Sequence, residues 1–185
     1  MFIQTEETPN PATLKFLPGK ILLSSGTLEF KEKASADKNS LAKKLFSDAN
    51  VKGVFIGKDF LTVTKSSKVD WDELKPTILS MILDFFTSGG EIEEVSNHND
   101  NSKKNIKYTK EEKIIVDKIE ELLDERIKPA VAQDGGDISF VKYSEGKVFL
   151  ELRGACSGCP SSTITLKSGI ENMLKYYIPE IDSVE

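Results

Sequence analysis

The loss of apolar periodicity between Ser88 and Tyr108 constrains this chain more than any other feature. The stretch "SGGEIEEVSNHNDNSKKNIKY" opens with Gly89-Gly90 and continues in charged and Asn-rich residues. Such a composition cannot bury enough apolar surface to fold by itself. It reads as a flexible linker, residues 89–108, between an N-terminal part, 1–88, and a C-terminal part, 109–185. Each part is small, at about 90 and 80 residues, yet within the range that folds alone. With 38% hydrophobic residues, both can build ordinary cores. No internal repeat relates them.

In the N-terminal part, "ATLKFLP" alternates Leu14 and Phe16 with polar neighbours, "TLEF" is short and extended, and "VKGVFIGKDFLTVTK" gives two runs around Gly57-Lys58. These predict strands, the last two as a hairpin. Ser40 precedes "LAKKLF", a short capped helix. Asp70, with Glu73 three residues on, opens a longer helix in which Trp71, Leu74, Ile78, Met81, Ile82 and Phe85 recur at helical period. Pro76 is tolerated near the start of that helix.

The C-terminal part opens with Thr109 and Glu112 in capping-box spacing. Ile115, Ile119, Leu122 and Ile127 then mark one helical face, and Pro129 is expected to end the helix. "DISFVKY" and "KVFLELR" follow as two strands joined across "SEGK"; Val148, Leu150 and Leu152 point one way, Phe149, Glu151 and Arg153 the other. A second amphipathic helix carries Ile164, Leu166, Ile170, Met173, Leu174 and Tyr177 and stops near Pro179, after which "IDSV" is a last short strand. The fold class expected is α+β: two small α+β domains joined by a flexible linker.

Thirty acidic and 25 basic residues leave a net charge of −5, with Lys and Arg scattered rather than blocked. Charge therefore suggests neither nucleic-acid nor anionic-membrane binding. No apolar run approaches the roughly 20 residues that span a bilayer. "MFIQTEETPNP" has the features of neither a secretory signal nor a transit peptide, so the expected location is cytoplasmic, or the mitochondrial matrix if a presequence was removed. Two cysteines in 185 residues make no disulfide framework and fit a reducing compartment.

Those cysteines, Cys156 and Cys159, stand in "RGACSGCPSS" at the junction of a strand and a helix. A Cys-x-x-Cys pair can close on one metal, form a disulfide, or serve as half of a cluster site. Thiolate is the reactive form, and the N-terminus of the helix after Cys159, with Pro160 at its first position, is expected to favour it. Neither thiol is needed by a core, so the site is expected to be exposed. Redox dithiols of the thioredoxin type follow a strand in a parallel βαβ unit, whereas this pair follows an antiparallel hairpin. Zinc sites and Fe-S clusters take four protein ligands, and the chain adds only one His, His98, in the polar linker, where it reads as solvated. One copy cannot complete a four-ligand site, but two copies about a two-fold axis bring four thiolates together. Zinc and Fe-S both remain open to such a set.

Two further elements attract a metal reading. "DGGD", Asp134 to Asp137, flanks two glycines with carboxylates, but reads as a loop whose glycines permit unusual dihedrals, since hard carboxylates suit Mg or Ca rather than a thiophilic cluster. Arg153 reads as solvated, and the serines after Pro160 as helix caps.

The run "RIKPAVAQDGGDISFV" followed by "VFLELRGACSGCPSSTITLKSGIENMLKYYIPEI" resembles the C-terminal domain of the NifU-like (Nfu) iron-sulfur cluster carriers. The match covers about residues 109–185, with the DGGD element, the cysteine core and the downstream helix in order. "TPNPATLKFLPG", "SLAKKLF", "GVFIGKDFLTVTK" and "WDELKP" resemble the companion N-terminal domain of that family. The resemblance implies that Cys156 and Cys159 bind a labile 4Fe-4S cluster bridged between the two subunits of a homodimer. It further implies that the protein, not itself an enzyme, receives clusters from upstream assembly proteins and hands them to apo iron-sulfur proteins. Ser157 and Gly158 do not distinguish 4Fe-4S from 2Fe-2S. The N-terminal part, without Cys or His among residues 1–88, is expected to serve recognition or stability. Two other classes compete with this reading: a dithiol/disulfide oxidoreductase, and a zinc-bridged dimeric interaction module.

Overall fold

The computed structural model describes residues 1–94, 106–158 and 160–185, with the backbone alone at 160–162. His98 and Cys159 lie outside the described residues. The chain divides into two compact units, Met1–Asn97 and His98–Glu185. Both are α+β, as the sequence predicts. No described helix is long and apolar enough to cross a membrane.

The first unit is a five-stranded antiparallel sheet in the order β1-β2-β5-β4-β3: β1 Gln4–Glu7, β2 Thr13–Leu17, β5 Leu61–Lys65, β4 Val51–Ile56 and β3 Leu28–Phe30. Two helices, α1 (Ser40–Leu45) and α2 (Trp71–Thr87), supply Leu41, Leu45, Leu74, Ile78 and Ile82 to the core, where they meet Phe16, Val54, Ile56 and Val63 from the sheet. The edge strand β1, "QTEE", has no apolar alternation and was not legible as a strand; its charges suit an exposed edge. The cap of α1 is Asn39, whose side chain accepts the Ala42 N–H at 2.9 Å, one residue before the expected Ser40. Asp70 occupies the N-cap of α2 but makes no side-chain cap bond.

Part of the expected linker belongs to this unit. Ile92 packs against the first core, and the Glu94 carboxylate accepts the Ser24 N–H at 2.6 Å and hydroxyl at 2.8 Å. Glu93 accepts the Ser40 N–H at 2.9 Å and the Ser40 hydroxyl. At the far end, the Tyr108 hydroxyl accepts the Tyr143 N–H at 3.2 Å, so that residue is anchored in the second unit.

In the second unit α3 (Lys110–Leu122) starts with both halves of the expected capping box: Thr109 Oγ1 accepts the Glu112 N–H, and the Glu112 carboxylate accepts the Thr109 N–H. Pro129 does not end this helix, contrary to expectation. The chain widens into a π-helical turn, Leu123–Ile127, and continues as α4, Lys128–Gln133. In that turn the Lys128 N–H bonds back to Leu123, five residues earlier. The wide turn accommodates a residue that lacks an N–H and whose ring would strike the carbonyl four residues back in a regular α-helix. Val116, Ile119, Leu123, Ile127 and Val131 are thereby all buried.

β6 (Gly136–Ser144) and β7 (Lys147–Gly154) form the predicted antiparallel hairpin. Its two-residue turn, Glu145-Gly146, has φ of 49° and 80°, the left-handed pair that matches strand twist. A bulge between Phe140 and Lys142 shifts the register. Ile138 and Phe140 before it, and Tyr143 after it, can then all face the same core, an arrangement simple alternation would forbid. The helix α5 (Pro160–Tyr177) packs Ile170 and Leu174 into this core, and β8 (Ser183–Val184) joins β7 in parallel. Ile164, expected on the buried face of α5, is instead exposed.

Candidate functional site

Cys156 sits in a single 3-10 turn, Ala155–Ser157, between the end of β7 and the start of α5. The chain leaves β7 through Gly154, whose φ of 70° and ψ of −143° are accessible to glycine but not to other residues without strain. Three bonds then shape the turn. Ser157 Oγ donates to the Gly154 carbonyl at 2.9 Å, Thr163 Oγ1 on α5 donates to the Cys156 carbonyl at 3.0 Å, and the Ala155 N–H donates to the Gly135 carbonyl at 3.2 Å.

The last of these bonds joins the cysteine turn to the DGGD element, and the two glycines there do different work. Gly135 has φ of 80°, which lets α4 pass directly into β6. Gly136 makes room: a Cβ there would stand 2.7 Å from both Cys156 Sγ and the Arg153 carbonyl oxygen. The loop reading of DGGD therefore has a specific content, because the element forms the wall against which the thiol rests. Its link to Cys156 could not be read from the sequence, since 19 residues, nearly all of them in the hairpin, lie between Gly136 and Cys156.

The position of Cys156 corrects two expectations. Its side chain is buried, 5% exposed, and belongs to the second core with Ile138, Val148 and Ile170. Burial, and secondarily the negative charge of Asp134, push its thiol from 9.0 up to about 11. The expectation of a thiolate favoured by the helix N-terminus does not hold for Cys156 at neutral pH, and for Cys159 it lies outside the described residues. A soft metal or cluster inverts that balance, since ligation requires the anion and releases the proton.

Arg153 is not simply solvated: its guanidinium pairs with the Glu151 carboxylate at 2.9 Å on the outward face of β7. Asp134 caps the end of α4 and reaches the thiol through its field. Among the described residues, no three His, Cys, Asp or Glu side chains gather where they could hold a metal ion. Cys156 is thus a fixed, buried thiol, with Asp134 as the nearby charge that influences it.

Comparison with known proteins covers both units. Residues 3–89 match the family described as scaffold protein Nfu/NifU N-terminal, and residues 119–185 match the NifU-like domain. A human protein named NFU1 iron-sulfur cluster scaffold homolog, mitochondrial, is 48% identical over 188 residues, covering all of this chain and 71% of the human protein. The Drosophila sechellia protein of the same name is 47% identical over 186 residues. This chain spans 64% of that fly protein's length. Among solved structures, a NifU-like protein from Saccharomyces cerevisiae is 29% identical over 51% of this chain and 86% of its own, with a TM-score of 0.46.

Proposed function

Since the chain belongs to the Nfu/NifU family, we propose that it is an iron-sulfur cluster scaffold and carrier in which two copies hold one labile 4Fe-4S cluster through Cys156 and Cys159. The cluster is cargo rather than a resident cofactor. The observation that carries the reading is the seat of Cys156: a thiol fixed by Gly136 at a strand-to-helix junction, in a chain with only two cysteines. Four thiolates on one centre then require a second copy.

Transfer follows from the same ligand count. Each copy contributes two bonds, so an incoming thiolate of an apo iron-sulfur protein can replace one copy's ligands stepwise. Each thiol bound as thiolate releases a proton, and each thiol freed regains one. The held proton on Cys156 favours release over retention, which suits a carrier. It also counts against Cys156 as the attacking thiol of a dithiol oxidoreductase, because an attacking sulfur must be a thiolate at ambient pH. The chain's part is to hold and pass on the cluster, with no catalysed bond chemistry of its own. Its partners are apo iron-sulfur proteins and the assembly proteins that load it. The compartment is a reducing one, the cytoplasm in a bacterial-type cell or the matrix where the chain is a mitochondrial product.

Anaerobic reconstitution with iron and sulfide tests the proposal. The expected product is a brown dimer with about four iron atoms per two chains. A colourless chain that cycles between dithiol and disulfide overturns it, as does a colourless dimer with one zinc.

A further inference from the structure

An apolar pocket of about 250 Å³ opens beside the cysteine turn, between β7 and α5. Ile138, Leu150, Leu152 and Ile170 line its apolar part, and Lys167 and Glu185 stand at its mouth, 3.4 Å apart. Leu150 and Leu152 are only partly buried although they pack on the second core. Ser157, which lies between the two thiols in sequence, also lines the pocket, so pocket and cysteine turn form one continuous surface. On the first turns of α5, Ile164 is 67% exposed. Its neighbours Thr163 and Lys167 turn toward the pocket of their own chain, and Ile164 lies on the adjoining flank.

We propose that this face is one half of a two-fold interface with a second copy of the chain, in which Ile164 of each copy enters the pocket of the other. The inference rests on the carrier reading above, because a site with two thiols per chain is incomplete without that copy. A two-fold contact must be self-complementary. This surface carries both members of each pair it needs, an apolar knob with an apolar hole and a cation with an anion. Ile164 is β-branched and stiff, so it loses little freedom on insertion. Lys167 and Glu185, paired within one chain when it is alone, exchange partners across the axis.

The full chain is reconstituted anaerobically with iron and sulfide, and iron content and mass are followed by native mass spectrometry and sedimentation. Ile164→Glu changes an exposed side chain, so the apo variant melts as the wild type does. Its loaded dimer is expected to dissociate at least tenfold more readily and to retain less iron. Lys167→Glu and Glu185→Lys, each alone, weaken the loaded dimer, and mixing the two variants restores it. Only pairing between chains predicts that rescue, because within each chain the like charges remain. A wild type that takes up no iron and sulfide overturns the carrier reading and the interface with it. A wild type that loads as a dimer, while Ile164→Glu loads and associates equally well, overturns the interface alone. If that variant also fails to pass its cluster to an apo-protein, the pocket receives the client rather than a second copy.

Discussion

Gly136 is the floor under Cys156. A Cβ at position 136 would come within 2.7 Å of the cysteine Sγ and within 2.7 Å of the Arg153 carbonyl oxygen, a backbone atom with little room to move. Gly136→Ala must therefore displace the β7 end, the thiol, or both. Overpacking of this kind costs about 1–3 kcal/mol, so the melting temperature of the second unit is expected to fall by several degrees. Iron retained after reconstitution should fall further than stability does, because the proposed ligand itself is moved. Thermal melts of the full chain and iron quantitation check the two effects separately.

The thiol also gives a pH signature. In the folded apo chain Cys156 is raised from 9.0 to about 11, chiefly by burial and secondarily by Asp134. Below about pH 9 the thiol is protonated in folded and unfolded chains alike, and its contribution to stability is intact. Between pH 9 and 11 the unfolded chain ionises first, so that contribution is lost as pH rises through the window. Alkylation of folded Cys156 should accordingly rise only toward pH 11, and Asp134→Asn should shift the profile down by the smaller part of the displacement. A profile centred near 9.0, the value from which burial raises the thiol, would contradict the buried seat.

Cys156→Ser probes the same seat from the other side. The side chain is a core member, so the substitution is expected to abolish stable cluster binding and also to lower stability, by about 1–3 kcal/mol for a hydroxyl placed among apolar neighbours. Circular dichroism should still report the folded content of both units. An unaltered melting temperature would show that the thiol does not pack as the structure places it.

Local rules were enough to place most elements of this chain. The Thr109–Glu112 capping box and the Glu145-Gly146 turn are short-range chemistry, and both form as their residue types dictate. What the sequence hid depends on contacts between distant segments. β1 is a strand because β2 pairs with it, not because "QTEE" has a strand pattern. The bulge at Phe140–Lys142 exists because the hairpin must keep Tyr143 in the core. Pro129 looked like a stop, since the π turn that absorbs it has no marker of its own in the sequence. The candidate site divides in the same way. Cys156 was visible by residue type, but its burial and its contact with Gly136 follow from how α4, β6 and β7 close on one another.

The segment that follows α2 offers an acid-sensitive clasp on the first unit. Hydrogen bonds from Ser40 hold the Glu93 carboxyl below its usual range, and those from Ser24 do the same for Glu94. Both folded pKa values lie below the unfolded ones, so the clasp contributes fully above the ordinary carboxylate pKa and is lost as pH falls through the lowered values. Glu93→Gln with Glu94→Gln should remove that dependence and loosen residues 91–94 at neutral pH. Ile92 would then leave the first core more often. Hydrogen exchange reads the outcome directly: the Ser24 and Ser40 amides, which donate to these carboxylates, should exchange faster in the double variant at pH 7, and wild type should approach the variant only in acid. Equal exchange rates at both pH values would show that the two glutamates do not hold the segment.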